Sequence, residues 1–234
     1  ISLRLVGSEM CIRDRGSQIL SISGPSDSVL SCERVVLNIL GRLSGITTRT
    51  SEWVSESGSV SIACTRKTAW GLMDKWAVHV GGGLTHRLSR TDALMIKEND
   101  LRIIDSKRDT GSGISSAISS IDFEKSAAFV VIEVQDSAQA ISAAESWSEN
   151  QKIRGGNEKI VILLDNMGPQ KCRSAEALLR ESELRDWCIL EGSGGVTLDR
   201  LHTWIESSMV DVISSSSVNM GVPSLDLSML IRGI

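Results

Sequence analysis

Short apolar runs alternate with amphipathic segments along most of this chain. The runs predict strands at 59–64, 93–96, 128–134, 160–164, 188–190 and 210–214. Between them, apolar residues recur at helical spacing and predict helices at 70–80, 137–147, 174–183 and 197–205. A repeated alternation of strand and helix is typical of parallel sheets or barrels.

Tryptophans are a second feature of this pattern. In the predicted helix 70–80, Leu72, Trp76 and Val80 fall at helical intervals, so we expect them to form its buried face. We expect four tryptophans to pack helices against the sheet instead of stacking on a ligand: Trp76, Trp147, Trp187 and Trp204.

The pattern before residue 59 differs from this alternation. Ile19, Leu20 and Ile22 alternate with serines and predict a strand over 16–23, which Gly24 and Pro25 end. Ser26 or Asp27 can cap the helix that follows. Its expected buried stripe consists of Val29, Cys32, Val36, Ile39 and Leu43.

Residues 1–15 show neither a sustained helical period nor a strand period. They look like translated read-through of a sequencing adapter. We therefore expect this segment to be an artefact foreign to the protein, and we leave it out of the fold prediction.

Composition limits the classes of protein to consider. With 234 residues, 41% hydrophobic, the chain can bury one substantial core and a small second domain. A net charge of −4 argues against nucleic acid as a partner, because that binding depends on an excess of Lys and Arg.

The five cysteines never have the spacing of a metal or redox pair, so we expect reduced thiols. No apolar run approaches the roughly 18 residues of a membrane span, and none resembles a secretory signal, so we expect a cytoplasmic protein without a membrane partner.

Charged or glycine-rich segments follow the predicted strands at their C-terminal ends. They are Arg66-Lys67, Lys97, Glu133, Asp165, Glu191 with Ser193-Gly194-Gly195, and the serine run 214–217. In an α/β barrel these ends meet on one rim, where barrel enzymes keep their active sites. Residues far apart in sequence would then be neighbours.

Five cationic or titratable residues lie within one short span of a chain that is acidic overall: Arg66, Lys67, His86, Arg87 and Lys97. They suit a ligand with several carboxylates, because arginine can pair with a carboxylate through two hydrogen bonds and lysine adds a point charge. The alternative is a solvated charged face.

Glu133 and Asp165 are candidate metal ligands. Mg²⁺ is usually held by one or two carboxylates together with substrate phosphates, so this pair suits a diphosphate-bearing substrate. The alternative, above all for Asp165, is a carboxylate that caps a helix.

Glycine and serine supply the candidate phosphate site. Glycine-rich turns expose backbone N–H groups, and a helix that starts directly afterwards favours a bound phosphate. The candidates are Ser193, Gly194 and Gly195, with Ser215 and Ser216 of the later serine run.

Three segments occur in a specific order and spacing: TRKTAWGL at 65–72, DKWAVHVGGGLTHRL at 74–88 and ALMIKEND at 93–100. Together they resemble the quinolinate phosphoribosyltransferase family, also called nicotinate-nucleotide pyrophosphorylase (carboxylating). The resemblance extends over 16–231 through segments 32–48, 131–140, 162–167, 190–198 and 211–228. A short helix with Met73 near a usual arginine indicates an archaeal-like branch.

The resemblance implies an α/β fold, an incomplete (β/α) barrel with a truncated N-terminal α+β domain. Residues 16–58 would be the remnant of that first domain, and 59–234 the barrel domain, whose C-terminal tail we expect to return to the first. The family has a larger N-terminal portion, so we expect part of this domain to be missing.

The resemblance also implies an activity, the transfer of a phosphoribosyl group from phosphoribosyl pyrophosphate to quinolinate with decarboxylation. The products would be nicotinate mononucleotide, pyrophosphate and CO₂, in NAD biosynthesis. Lys67, Glu133 and Asp165 would be catalytic, and the two carboxylates would hold Mg²⁺. Quinolinate would contact Arg66, His86, Arg87 and Lys97, together with Arg34 from the other subunit of a homodimer. The 5-phosphate would bind at Ser193, Gly194, Gly195, Ser215 and Ser216.

Several positions depart from the family pattern. Cys64 stands where an aspartate is usual, Ala69-Trp70 replaces a Thr-Pro pair, and Ser216 stands near a usual glycine. These departures leave two alternatives open. One is a paralogous phosphoribosyltransferase that acts on nicotinate or another ring, and the other is a catalytically silent homologue that only binds anions.

Overall fold

The computed structural model describes residues 2–7, 18–89, 92–104, 110–122 and 128–232. The strands within them are β1 (Ser2–Gly7), β2 (Gln18–Ser23), β3 (Ser61–Ala63), β4 (Leu94–Ile96), β5 (Val130–Val134), β6 (Ile160–Asp165), β7 (Cys188–Ser193), β8 (Val212–Ser214) and β9 (Leu227–Arg232). The α-helices are α1 (Ser26–Glu56), α2 (Leu72–Val80), α3 (Glu98–Ile104), α4 (Thr110–Ser119), α5 (Ser137–Arg154), α6 (Gly168–Glu181) and α7 (Leu198–Ser208).

Six strands form one parallel sheet in the order β3-β8-β7-β6-β5-β4. Leu84 makes a parallel bridge to Ala63 and so extends the sheet beyond β3. The predicted alternation of strand and helix is confirmed, and the six strands differ from their predicted bounds by only a few residues.

The two faces of this sheet pack against different partners. Val130, Ile132 and Val134 of β5 belong to the main core, together with the buried alanines of α5. Val131 instead belongs to a small inner cluster with Val161 and Leu163, against which Met95, Phe129 and Ile189 pack. Because side chains alternate along a strand, Glu133 lies on the inner face with Val131. The same spacing assigns Lys97, Asp165 and Glu191 to that face, each two residues beyond a member of the inner cluster.

Contacts of His86 show that the sheet curls on itself. The strand order separates Leu84 from β7 by β3 and β8, so a flat sheet would hold them about 14 Å apart at the usual strand spacing. Nevertheless, Nε2 of His86 lies 3.1 Å from Oε2 of Glu191 in β7. Its ring also meets that of Phe129, with centroids 6.1 Å apart. The sheet is therefore the predicted incomplete α/β barrel, and its inner cluster is the barrel interior.

The remaining strands form a separate antiparallel sheet in the order β2-β1-β9. Helix α1 packs next to it, with Leu37 and Leu227 buried together. Of segment 1–15, which we predicted to be foreign, residues 1 and 8–15 lie outside the described residues and Ser2–Gly7 form β1. The division at residue 58 and the foreign origin of 1–15 stay predictions.

Two helices bury faces that differ from the predicted ones. Helix α2 forms, but Leu72, Trp76 and Val80 are exposed, with Trp76 at 64%. Its buried residues are Asp74, Lys75, Ala77 and Val78. In α1, Val29 is buried as predicted, whereas the rest of the expected stripe is only half-buried and the main contacts come from Leu37, Ile46 and Trp53. The small side chains of α2 allow a close approach, which periodicity alone does not reveal.

Of the other tryptophans, Trp147 and Trp204 are buried as predicted and Trp187 is half-buried. Across the described residues, every helix is too short or too polar to span a bilayer.

Candidate active site

The strand register brings the predicted acidic and phosphate residues together. Asp165 of β6 pairs with Ser193 of β7, and Ser193 pairs with Ser214 of β8. Two residues earlier in the register, Glu133 aligns with Leu163, which aligns with Glu191. The C-terminal ends of four neighbouring strands therefore place the two predicted carboxylates, a glycine turn and the serine run at one rim, as the sequence predicted.

Lys97 and Glu133 form an ion pair on this rim. Nζ of Lys97 lies 2.6 Å from Oε2 of Glu133, across the ends of β4 and β5. The Lys97 side chain is 45% exposed and that of Glu133 is 15% exposed. The pair is therefore open to a ligand that enters the mouth of the barrel.

Asn166 connects Asp165 to the glycine turn. Its backbone φ is +55°, in the left-handed region, and its Nδ2 donates to Oδ2 of Asp165 over 2.8 Å. Its backbone N–H donates to the Ser193 carbonyl over 2.9 Å. A Cβ on Gly194 would lie 2.3 Å from Oδ1 of Asn166, so only glycine fits this turn.

Ser215, one of the predicted phosphate ligands, makes its side-chain hydrogen bonds within the protein. Its hydroxyl is buried, donates to the Val196 carbonyl over 2.7 Å and accepts from the Ser217 N–H over 3.1 Å. Its backbone N–H donates to the Ala63 carbonyl. Ser215 thus joins the turn after β7 to the segment after β8, whereas Ser193, Gly194 and Ser216 are half-buried and Gly195 is exposed.

Arg66 and Lys67 lie in the exposed loop between β3 and α2. The loop is fixed to the segment after β8, because Nδ2 of Asn219 donates to the Lys67 carbonyl over 2.9 Å. A cavity of about 300 Å³ opens beside it, lined by Arg66, Thr68, Gly71, Leu72, Lys75 and Leu88. This volume suits a small aromatic acid.

His86 and Arg87, both predicted to bind substrate, are engaged inside the protein. His86 has φ of +53°, and its Nδ1 accepts the Arg87 N–H over 2.7 Å. In the neutral ring the hydrogen therefore sits on Nε2, which donates to Glu191. Arg87 is buried and donates from Nη1 to the Ala93 carbonyl over 3.3 Å. Both side chains therefore already have hydrogen-bond partners within this chain.

Arg34 is not part of this rim within one chain. It lies on α1 with its side chain 74% exposed, and its guanidinium is 3.9 Å from Glu33. It lines a separate cavity of about 320 Å³ with Asn38, Arg42, Trp70 and Asp226, among others.

The sequence interpretation missed Asp74. This residue is fully buried at the start of α2, and its carboxylate accepts from Nε and Nη2 of Arg42 at 2.9 and 2.8 Å. It also accepts from the backbone N–H groups of Ala69 and Trp70 at 2.8 and 3.3 Å. Burial by itself raises the pKa of Asp74, but the Arg42 guanidinium and the two amides outweigh it and lower the pKa below its usual value of 3.8.

Lys75 is the other missed residue. It is buried, and its ammonium contacts the carbonyl of Thr85, the carbonyl of Thr65 at 3.4 Å and Sγ of Cys64 at 3.7 Å. Burial raises the pKa of the Cys64 thiol, although Lys75 opposes this shift. Both residues begin segment 74–88, one of the three that carry the family resemblance, but a charged pair at a helix start normally indicates a solvated turn.

The described residues contain no cluster of three or more His, Cys, Asp or Glu side chains that could hold a metal ion by themselves. A metal at this rim would need ligands from the substrate. Glu133 and Asp165, the two metal ligands predicted from the sequence, both lie at this rim on the strands β5 and β6.

Comparison with known proteins agrees with this geometry. Residues 46–230 match the family model described as "Quinolinate phosphoribosyl transferase, C-terminal domain". The probable nicotinate-nucleotide pyrophosphorylase (carboxylating) of Methanothermobacter thermautotrophicus is 34% identical over 225 residues, which cover 94% of this chain and 74% of the relative. A relative of the same description from Archaeoglobus fulgidus is 34% identical over 220 residues, covering 92% and 77%.

Among solved structures, NadC from Streptococcus pyogenes superposes with a TM-score of 0.74 at 30% identity, covering 97% of this chain and 75% of that one. The archaeal relatives also agree with the branch that the short helix indicated. The barrel, its rim and these matches together establish that this chain belongs to the quinolinate phosphoribosyltransferase family.

Proposed function

We propose that this chain transfers a phosphoribosyl group from phosphoribosyl pyrophosphate to quinolinate and that decarboxylation follows. The products are nicotinate mononucleotide, pyrophosphate and CO₂, an enzymatic step in NAD biosynthesis. The two archaeal relatives are described as probable carboxylating nicotinate-nucleotide pyrophosphorylases, named for the reverse direction.

One observation carries the proposal. The Lys97–Glu133 pair, Asp165 and the Ser193–Gly195 turn lie at the C-terminal ends of four strands that are neighbours in the sheet. This order sets a cation and two carboxylates beside a phosphate turn, which a reactant pair with two carboxylates and several phosphates requires. The cavity at Arg66 adds a cationic pocket for the aromatic ring.

The first chemical step forms a bond between the quinolinate nitrogen and the anomeric carbon as the bond to pyrophosphate breaks. The ribose gains positive charge in this transition state, which Glu133 and Asp165 stabilise, while Lys67 offsets the negative charge of the departing pyrophosphate. Arg66 and Lys97 hold the two carboxylates of quinolinate, so that the ring nitrogen faces the ribose.

Decarboxylation follows on the alkylated ring. The carbon–carbon bond to the carboxylate next to the nitrogen breaks, CO₂ departs, and the pyridinium holds the electron pair until a proton replaces the lost group. The protein only needs to position and desolvate that carboxylate.

Mg²⁺ belongs to the proposal as a cofactor. Glu133 and Asp165 would hold it together with the diphosphate, and it would neutralise charge on the leaving group when bound. Both carboxylates lie on the inner face at the rim, and hard oxygen ligands are what this ion prefers.

The proposal includes a homodimer in which Arg34 completes the partner's site. Arg34 is exposed and lines a cavity separate from the one beside Arg66, so it is available to another subunit. A band of exposed apolar side chains on α2, which includes Leu72, Trp76 and Val80, offers a surface that a second copy could cover. A cytoplasmic location also belongs to the proposal, since the cysteines in the described residues are free thiols.

Release of CO₂ from quinolinate labelled in the carboxylate next to nitrogen tests the activity. We expect release that depends on both phosphoribosyl pyrophosphate and Mg²⁺, and that falls at least 100-fold in Lys67→Ala but not in the exposed-surface control Lys171→Ala. Turnover of nicotinate without CO₂ would instead identify the paralogous activity. Binding of both substrates without any product would identify a silent homologue.

Mixing two inactive variants tests the shared site. Arg34→Ala and Lys67→Ala disable different halves of a shared site, so a mixed dimer contains one intact site and regains up to about a quarter of the activity. No recovery after subunit exchange would show that Arg34 serves its own chain.

A further inference from the structure

Asp74 and Lys75 are consecutive buried charges in the first turn of α2. Their side chains contact opposite ends of the loop that carries Arg66 and Lys67. Asp74 accepts the N–H groups of Ala69 and Trp70 at its C-terminal end. Lys75 donates to the Thr65 carbonyl at its N-terminal end.

Lys75 also contacts a second cationic segment. Its ammonium donates to the carbonyl of Thr85, directly before His86, as well as to that of Thr65, directly before Arg66. One ammonium group therefore joins the two backbone positions from which the Arg66-Lys67 and His86-Arg87 segments start.

The hydrogen bonds of Lys75 define what it can do. An ammonium has three N–H donors, and here they meet two carbonyls and the Cys64 thiol. No donor remains for a ligand, although Lys75 lines the cavity beside Arg66. It can act on a bound anion only through its charge and through the segments it holds.

Asp74 is engaged to the same extent. Arg42 of α1 occupies both carboxylate oxygens, and the two loop amides share Oδ2. The Arg42 guanidinium also lies 5.2 Å from the ring centroid of Trp70, so it packs on the loop that Asp74 holds. The loop is thereby connected to α1 as well as to α2.

We propose that Asp74 and Lys75 are positioning residues, which together fix the two cationic segments of the quinolinate pocket against the start of α2. This inference deepens the proposed function and rests on it for the identity of the ligand. Burial of an uncompensated charge is costly, and an apolar side chain would fill the same space without that cost. A lysine is explained here because its ammonium donates hydrogen bonds to two backbone carbonyls, which an apolar side chain cannot do.

Hydrogen–deuterium exchange tests the positioning without any substrate. In Lys75→Met, we expect exchange at least 10-fold faster in peptides covering both 65–72 and 84–89. In Asp74→Asn, we expect the same change in 65–72 only, because Asp74 does not contact the second segment. Lys171→Met on the exposed face of α6 is the matched control and should leave both peptides unchanged.

Steady-state kinetics test the consequence for the ligand. We expect Lys75→Met to raise the KM for quinolinate at least 10-fold and that for phosphoribosyl pyrophosphate less than about 3-fold. The turn at Ser193–Gly195 does not contact Lys75, and Lys67, on the loop that Lys75 holds, acts on the departing pyrophosphate and so affects kcat. A general folding defect would lower the active fraction and leave both KM values unchanged. Lys75→Gln, which keeps hydrogen-bond donors, is measured in the same way in case the methionine variant does not fold.

The possible outcomes separate the inference from the proposed function. Exchange in Lys75→Met equal to that in Lys171→Met overturns the positioning role, whatever the activity. Equal increases in both KM values overturn its specificity for the quinolinate pocket. A wild-type protein that is inactive with quinolinate and phosphoribosyl pyrophosphate overturns the proposed function, while the exchange experiment still decides the positioning role.

Discussion

Lys97 and Glu133 hold each other across the ends of β4 and β5, with Nζ and Oε2 separated by 2.6 Å. A quinolinate carboxylate that binds Lys97 must therefore compete with a carboxylate of the protein itself. Under the proposed function, quinolinate binding would release Glu133 from Lys97 and free it to turn towards the ribose.

A first prediction follows for Glu133→Gln. Turnover should fall about 100-fold or more, the usual range for loss of one group that stabilises charge in the transition state. Quinolinate binding, measured by calorimetry, should stay unchanged or tighten up to about 5-fold, because a partly exposed ion pair is worth about 0.2–1 kcal/mol. Glu158→Gln, in the surface pair with Arg154, is the control. Binding weakened more than 10-fold would mean that Glu133 holds Lys97 in place for the substrate.

A second prediction compares two glycines with positive φ. Gly194→Ala places a Cβ against Asn166, whereas Gly221→Ala, at φ of +69°, meets open space. Both variants carry the backbone strain of a left-handed residue, about 1–2 kcal/mol. Only Gly194→Ala should raise the KM for phosphoribosyl pyrophosphate, by about 10-fold or more. Similar KM values in the two variants would show that this turn does not bind the phosphate.

A third prediction concerns acid stability. The pKa of Asp74 in the folded protein lies below 3.8, its usual value, so Asp74 stabilises the fold fully above about pH 4 and loses this contribution as the pH falls through the folded pKa. The difference in unfolding free energy between wild type and Asp74→Asn should therefore be largest near neutral pH and shrink below about pH 4. Urea titrations at several pH values measure it, with the exposed Asp199→Asn as control. A difference that does not change with pH would contradict the role of the ionised carboxylate.

A fourth prediction concerns the thiols. Burial raises the pKa of Cys172 and that of Cys188 to about 11 each, and it also raises the pKa of Cys64. These thiols stay protonated at pH 8, and only the thiolate reacts with iodoacetamide. Among the cysteines that the structure describes, we expect native labelling at the half-buried Cys32 alone and labelling of all four in urea. Rapid native labelling of Cys64 would show that the barrel opens at β3.

Much of the rim could be predicted from the sequence. Polar residues at the ends of apolar runs identified Lys97, Glu133 and Asp165, because strands of one parallel sheet end on the same side and a period of two fixes the face of each side chain. Ser193 and Gly194 were predictable for the same reason. The burial of Ser215 was not, since a serine run does not indicate which hydroxyl joins two loops.

The buried faces of the helices could not be predicted from residue spacing. Spacing alone assigned Leu72, Trp76 and Val80 to the buried face of α2, yet the structure buries Asp74 and Lys75 there. Hydrophobic periodicity identifies the helix face on which apolar side chains are removed from water. These two charged side chains are buried for another reason: they form hydrogen bonds with backbone groups and, for Asp74, with Arg42.

The sequence by itself determined the order of strands and helices, the positions of the strand ends and the family, since each depends on local pattern. Tertiary structure alone decided that His86 faces Glu191, that Arg87 is buried and that Lys75 joins Thr65 to Thr85. Those contacts depend on how far the sheet curls and how closely α2 approaches it, which is a property of packing across the whole barrel.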